Sequence, residues 1–228
     1  IYTGGTTVSE ILTHSFPTAS RSSERYYWQV PRSSYQYSMI ILREPLSWLT
    51  SAIFHDLNMG RIKHNIFFKT VSLSDAIERS KHLTRVRDRS KAGGYRLENF
   101  QTSWLVGNRV DPKIEPLRGY EAARDVIDKI DVVGVTLFLR ETLCLAFYKF
   151  SHPSFNECNC TSERRDVPTR MAELQRSMSG YRLKAEYSAI QALPHLMKAD
   201  ILLYSYAVQR FKRDLSLVEE RTGFRLMC

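Results

Sequence analysis

The sequence predicts an α/β fold in which a central parallel sheet is flanked by helices. Two compact apolar runs, residues 38–42 and residues 131–137, have the length and composition of buried strands. Helical patterns alternate with these runs, as they do where crossover helices join parallel strands and cover both faces of the sheet. Ligands of such sheets bind at the carboxyl ends of the strands, so we expect a functional site there.

The helices are predicted from apolar spacing and from their start signals. Pro45 occupies the first turn of one helix, where its missing N–H costs nothing, and Trp48 and Leu49 begin its apolar side. Ser72 and Ser74 are possible N-caps of the next helix. Besides the helix that opens at Pro45, helical segments are predicted at residues 8–13, 73–81, 99–106, 119–130, 141–150 and 185–217, the last broken at Pro194.

The whole chain, residues 1–228, is predicted to form one domain, because no linker or internal repeat divides it. A hydrophobic content of 43% and a charged content of 25% are ordinary for a globular domain. The sequence begins at Ile1 without Met and enters a glycine turn almost at once. We therefore expect an N-terminally truncated fragment that lacks the first strand of the fold.

The formal net charge of +9 indicates an anionic partner. No segment alternates basic and aromatic residues in the manner of a nucleic-acid platform, so nucleic acid is not expected as the partner. The most apolar segment, residues 132–150, is interrupted by Arg140 and Glu141 and is read as a strand followed by a core helix rather than as a membrane span.

Four cysteines are present, and their spacing matches no zinc site. Cys144 lies in an apolar helix and Cys228 ends the chain, whereas Cys158 and Cys160 stand in a loop where each can form a disulfide with a distant partner. Residues 159–161, Asn-Cys-Thr, also match the acceptor triplet for N-glycosylation. That triplet mildly favours a secretory compartment.

A glycine turn at the start of the chain has the parts of an anion cradle. Gly4 and Gly5 permit positive φ angles and close approach of the backbone, and the helix that follows offers free N–H groups. Thr6 and Thr7 add hydroxyl donors. A nucleoside-triphosphate P-loop is not indicated, because Gly-Lys-Ser/Thr is missing. That absence also argues against a kinase-like enzyme.

A second anion signature follows the first predicted strand. Arg43 leaves the carboxyl end of this strand and can grip a phosphate with two parallel hydrogen bonds. Ser51 stands eight positions later, two turns into the helix that Pro45 opens, so its hydroxyl can reach the same anion. Two separate anion sites suggest a ligand with two phosphate ends.

This pair of motifs resembles the sulfotransferases that use 3′-phosphoadenosine 5′-phosphosulfate (PAPS), especially the carbohydrate sulfotransferases of the Golgi. The family shows Pro-Lys-Thr-Gly-Gly-Thr-Thr at the 5′-phosphosulfate, and Leu-Arg-Asp/Glu-Pro with a serine eight residues after the arginine at the 3′-phosphate. Three further segments of this chain resemble family motifs in the same order: residues 98–107, 131–136 and 199–207. The resemblance thus covers nearly the whole chain.

The resemblance implies a P-loop NTPase-like sulfotransferase fold and a set of cofactor contacts. The 5′-phosphosulfate would be held by Thr3, Gly4, Gly5, Thr6 and Thr7, and the 3′-phosphate by Arg43 and Ser51. Gln101 and Thr102 would lie near the nucleotide, and a late loop that carries Arg164, Arg165 and Arg170 would fold over the nucleotide or the acceptor.

The resemblance further implies transfer of a sulfuryl group from PAPS to a glycan hydroxyl, with no metal required. It implies a type II membrane protein of the Golgi lumen, held by a tether that is absent from this chain. The excess positive charge suits both a doubly phosphorylated cofactor and an acidic glycan.

Two positions bear on catalysis. The family lysine that precedes Thr-Gly-Gly is Tyr2 here, and a neutral phenol cannot supply the positive charge that stabilises the leaving phosphate. This replacement favours an alternative function, in which the chain binds the nucleotide or a sulfated glycan without efficient turnover. The catalytic base is expected to be His14, which lies between the two phosphate motifs, with Glu24 and His55 as weaker candidates.

Overall fold

The computed structural model describes residues 37–49, 98–107, 114–160 and 194–227, together with the backbone of two short segments, 70–72 and 182–184. In chain order the strands are β1 (Met39–Leu42), β2 (Thr70–Ser72), β3 (Val132–Val135) and β4 (Arg182–Lys184). The α-helices are α1 (Phe100–Val106), α2 (Pro116–Ile127), α3 (Leu139–Lys149) and α4 (Lys198–Thr222). Residues 45–49 are also helical.

The described strands form two parallel pairs. β1 pairs with β3 in a register that places Met39 opposite Val132 and Leu42 opposite Val135, and β2 pairs with β4. The strand predicted at residues 38–42 is therefore confirmed, whereas β2 and β4 were not expected. The larger central sheet with P-loop NTPase-like order stays a prediction.

The carboxylate of Asp131 fixes the start of the β1–β3 pair. Its Oδ2 atom accepts hydrogen bonds from the backbone N–H of Ser38 at 2.7 Å and from the Ser38 hydroxyl at 2.8 Å. In return, the backbone N–H of Asp131 donates to the Ser38 hydroxyl oxygen at 3.2 Å. Ser38 and Asp131 thus join the two strands one residue before each of them begins.

The strand predicted over residues 131–137 is shorter than expected. β3 ends at Val135, and Thr136–Phe138 form a 3-10 turn that leads into α3. The Thr142 hydroxyl accepts from the N–H of Val135 at 3.2 Å and donates to its carbonyl at 3.3 Å, so the backbone of Val135 is engaged by α3. Leu137, predicted to be buried in the strand, is 72% exposed.

Glycine at position 134 allows α3 to pack closely on β3. A Cβ atom at Gly134 would lie 2.0 Å from Cγ2 of Thr142, far inside van der Waals contact. The approach of the two elements therefore depends on the missing side chain.

The start of α2 and the end of α4 are set by a proline and a glycine, respectively. α2 begins at Pro116, three residues before the predicted start, because proline is favoured in the first turn of a helix. α4 continues to Thr222, beyond the predicted end at residue 217, and stops at Gly223, which adopts the left-handed conformation with φ 70°.

Two hydrophobic clusters cover the β1–β3 pair. One joins Ile40, Leu42 and Val133 to α1, α2 and the first half of α4. The other joins Val132 and Val135 to α3 and the second half of α4. Every residue of β3 is buried, as expected for a parallel strand that helices cover on both faces.

A disulfide between Cys144 and Cys158 joins α3 to the 3-10 turn at Pro153–Cys158. Cys160 is disulfide-bonded as well. No helix within the described ranges is long and apolar enough to cross a membrane.

Candidate anion-binding site

Arg43 lies directly after β1, at the carboxyl edge of the β1–β3 pair. Its side chain is partly buried, and this burial lowers the pKa of the guanidinium from its usual value, while the charge of Glu44 raises it. The Nε atom donates to the hydroxyl of Ser47 at 2.9 Å. The two terminal nitrogens make no hydrogen bond or ion pair with the described part of the chain, so two N–H-bearing nitrogens are available to an anion.

The backbone of Arg43 is held by the side-chain amide of Gln101. The Arg43 N–H donates to Oε1 of Gln101 at 2.9 Å, and Nε2 of Gln101 donates to the Arg43 carbonyl at 2.8 Å. The side-chain amide thus pairs with the N–H and the carbonyl of a single residue, as a neighbouring strand would. Because both backbone groups of one residue are fixed, the direction in which the Arg43 side chain leaves the sheet is fixed too.

Asp200 in turn holds the helix that carries Gln101. Its carboxylate accepts from the backbone N–H of Gln101 at 3.1 Å, from the N–H of Thr102 at 2.8 Å and from the Thr102 hydroxyl at 2.7 Å. Asp200 is fully buried, and this burial raises its pKa to about 6 although the hydrogen bonds from Thr102 and Gln101 lower it. The carboxylate caps the first turn of α1, where free N–H groups need an acceptor.

Asn99 provides the reciprocal cap. Its Oδ1 accepts from the N–H of Ala199 at 2.8 Å and from the N–H of Asp200 at 3.3 Å, both in the first turn of α4. Asn99 is buried and has φ 46°, in the left-handed region that asparagine tolerates better than most residues. Hydrogen bonds therefore join the starts of α1 and α4, and Gln101 in the first turn of α1 contacts Arg43.

Glu44 occupies the N-terminus of the helical segment 45–49. Its carboxylate accepts from the N–H of Leu46 at 3.0 Å and from the N–H of Ser47 at 2.6 Å. These backbone donors are therefore engaged within the chain. An anion at this edge of the sheet would be bound by the guanidinium of Arg43 rather than by the start of this helix.

Tyr204 brings a phenol to the same region. It is partly buried between the two hydrophobic clusters, one helical turn after Asp200. Burial and the negative charge of Glu44 raise the pKa of the phenol above its usual value. The hydroxyl therefore keeps its proton at neutral pH and can act as a donor.

Of the predicted cofactor-binding residues, Arg43 alone falls within the described ranges. Gln101 and Thr102, expected near the nucleotide, have side chains that bond to Arg43 and Asp200, so we assign them to the support of Arg43. The other predicted site residues lie outside the described ranges: Tyr2, Thr3, Gly4, Gly5, Thr6, Thr7, His14, Glu24, Ser51, His55, Arg164, Arg165 and Arg170.

Sequence reasoning did not identify Ser47, and it gave no role to Asn99 or Asp200, although both lie in segments that resemble family motifs (residues 98–107 and 199–207). Ser47 lies one helical turn after Arg43, and that spacing could have identified it as a partner of the arginine. The reciprocal caps join residues about a hundred positions apart, and no local pattern reveals such a pair.

No group of His, Cys, Asp or Glu residues in the described ranges could hold a metal ion. Comparison with known proteins finds no matching family model, no similar curated protein and no similar solved structure. The candidate site therefore has to be interpreted from its own geometry and from the sequence motifs.

Proposed function

We propose that this chain is a PAPS-dependent sulfotransferase that moves a sulfuryl group to a glycan hydroxyl. The proposal rests on the position and the hydrogen bonding of Arg43. It leaves a buried parallel strand at its carboxyl end, its backbone is clamped by Gln101, and its terminal nitrogens make no bond with the described residues.

An arginine in this state suits a phosphate group. The planar guanidinium can present two parallel N–H donors to two phosphate oxygens, which gives both affinity and orientation. Its partial burial strengthens the interaction, because water competes less for the anion. Arg43 is thus proposed to bind the 3′-phosphate, with Ser51 nearby in sequence.

Transfer would proceed in line. The bond between sulfur and the bridging phosphate oxygen breaks while the acceptor hydroxyl oxygen bonds to sulfur, and a base removes the hydroxyl proton. Residues 3–7 are proposed to hold the 5′ end and His14 to accept the proton. Tyr2 would supply one neutral donor where the family lysine supplies a charge.

The experiment is a transfer assay with labelled PAPS and a panel of glycans that differ in charge and in free hydroxyls. Wild-type protein is expected to label at least one glycan. Arg43→Ala should lower kcat/KM by about 10- to 100-fold, because a hydrogen bond to a charged group contributes about 1.5–3 kcal/mol. Nucleotide binding by the wild type without transfer to any glycan would reject the proposal in favour of a binding function, and absence of both transfer and nucleotide binding would reject it outright.

Tyr2 favours a second candidate function, binding of the nucleotide or a sulfated glycan without efficient turnover. The matched variant is Tyr2→Lys in the same assay. A gain on the order of 100-fold would support this alternative, since that is the usual effect of one transition-state donor. Equal transfer by both proteins would exclude it.

A further inference from the structure

We propose that Asn159 carries an N-linked glycan. Asn159 begins the triplet Asn-Cys-Thr at residues 159–161, and none of the other asparagines in the chain is followed two positions later by Ser or Thr. The chain therefore offers one acceptor for this modification, and its place in the fold decides whether it can be used.

The disulfides indicate the compartment in which such a modification takes place. Cys158 and Cys160, the two neighbours of Asn159, are both disulfide-bonded, the first to Cys144. Structural disulfides form in the oxidising secretory pathway and are rare in the cytosol. The acceptor asparagine thus stands between two disulfide-bonded cysteines, a setting typical of proteins of the secretory pathway.

The local backbone leaves Asn159 accessible. It follows the 3-10 turn at Pro153–Cys158 with φ −68° and ψ 121°, an extended conformation outside any helix or strand. Its side chain is partly exposed, and Asn156, Glu157 and Arg225 around it are exposed. This polar surface can accept a large hydrophilic group without loss of buried apolar contacts.

The side-chain amide of Asn159 lies at the surface, beside the segment that follows α4. Oδ1 of Asn159 accepts a hydrogen bond from the backbone N–H of Arg225 at 3.3 Å at the surface. The glycan is joined to the other side-chain atom, Nδ2. In that reaction Nδ2 bonds to the anomeric carbon of a lipid-pyrophosphate-linked oligosaccharide, the lipid pyrophosphate leaves, and the amide loses one proton.

The position is remote from the candidate anion site. Asp200 lies in the first turn of α4, whereas Asn159 contacts the segment that follows the end of the helix at Thr222. At 1.5 Å per residue, these two points of α4 are roughly 33 Å apart. A glycan at Asn159 would therefore leave Arg43 accessible, and its presence does not depend on the proposed transfer activity.

The test is expression of the chain behind a cleavable secretion leader in cultured eukaryotic cells. We expect one increase in gel mobility after treatment with peptide-N-glycosidase, and mass spectrometry should find Asp at position 159 after this treatment. Asn159→Gln and Thr161→Ala should both abolish the shift, while Thr161→Ser should retain it. Thr161→Ala is the sharper control, since it leaves the bond between Asn159 and Arg225 in place.

A secreted, disulfide-bonded wild-type chain with unmodified Asn159 would overturn the proposal. A shift that persists in Thr161→Ala would overturn it as well, because the sequence contains no other Asn-x-Ser/Thr triplet.

Discussion

Asn99 and Asp200 cap each other's helices. The Asn99 side chain accepts from the first turn of α4, which contains Asp200, and the Asp200 carboxylate accepts from the first turn of α1, which Asn99 precedes. The Asn99 N–H also donates to the carbonyl of Leu196 at 3.2 Å. Through Gln101 this arrangement continues to the backbone of Arg43, so the start of α4 and the carboxyl end of β1 form one connected polar structure.

The buried carboxyl of Asp200 should make the stability of the fold depend on pH. Its folded-state pKa is about 6, above the unfolded value of 3.8, so the folded protein binds this proton more tightly. The contribution is fully present below about pH 4 and is lost as the pH rises through about 6. The loss is on the order of 3 kcal/mol, since one pKa unit corresponds to about 1.4 kcal/mol.

Urea unfolding of wild type and Asp200→Asn between pH 4 and pH 7.5 measures this effect. The wild type should lose stability relative to the variant across that range, because Asn has no proton to release. Other titrating groups are common to both proteins and cancel in the difference. Parallel pH profiles for the two proteins would contradict the assignment.

Gln101 should affect nucleotide affinity through Arg43 alone. Gln101→Ala removes both hydrogen bonds to the Arg43 backbone, and we expect weaker binding of 3′-phosphoadenosine 5′-phosphate (PAP), the desulfated nucleotide, by about 3- to 10-fold. In the Arg43→Ala background the same change should have almost no further effect on affinity. A double-mutant cycle by calorimetry gives the coupling, and additive losses would show that Gln101 acts independently of Arg43.

Gly134 should be intolerant of a side chain. Gly134→Ala places a methyl group 2.0 Å from Cγ2 of Thr142, which is fully buried and bonded to Val135. We expect a loss of about 1–3 kcal/mol in the free energy of unfolding, the usual cost of overpacking. Chemical denaturation followed by tryptophan fluorescence measures it.

Gly223→Ala is the matched control for that variant. A Cβ atom there meets nothing within 4 Å, so only the left-handed backbone with φ 70° opposes it. We expect a cost of about 1–2 kcal/mol from this conformation and no movement of α3. If Gly134→Ala left the free energy of unfolding unchanged while Gly223→Ala lowered it, the close packing of α3 on β3 would be contradicted.

The sequence predicted elements whose signal is local. The apolar run before Arg43 and the amphipathic pattern around α2 were both recognised, because period and propensity act within a few residues. The end of β3 was missed, since it depends on the Thr142 hydroxyl from the next helix. The sequence left the disulfide partner of Cys144 open, because spacing alone does not determine connectivity.

In the candidate site, too, the sequence predicted the local feature and not the long-range contacts. Arg43 was identified from its position after a strand, which is a local feature. Its clamp by Gln101 and the capping of α1 by Asp200 join segments 58 and about a hundred residues apart. Such contacts are decided by tertiary packing, and neither propensity nor periodicity carries their signal.

Arg43 is proposed to bind a phosphate of a nucleotide that is phosphorylated at both its 3′ and 5′ positions. The most direct measurement is calorimetric titration of PAP into wild type, Arg43→Lys and Arg43→Ala. We predict measurable binding by the wild type, a loss of about 10- to 100-fold in Arg43→Ala, and an intermediate affinity in Arg43→Lys, which keeps the charge without the two parallel donors. Equal PAP affinity in all three folded proteins would contradict the account.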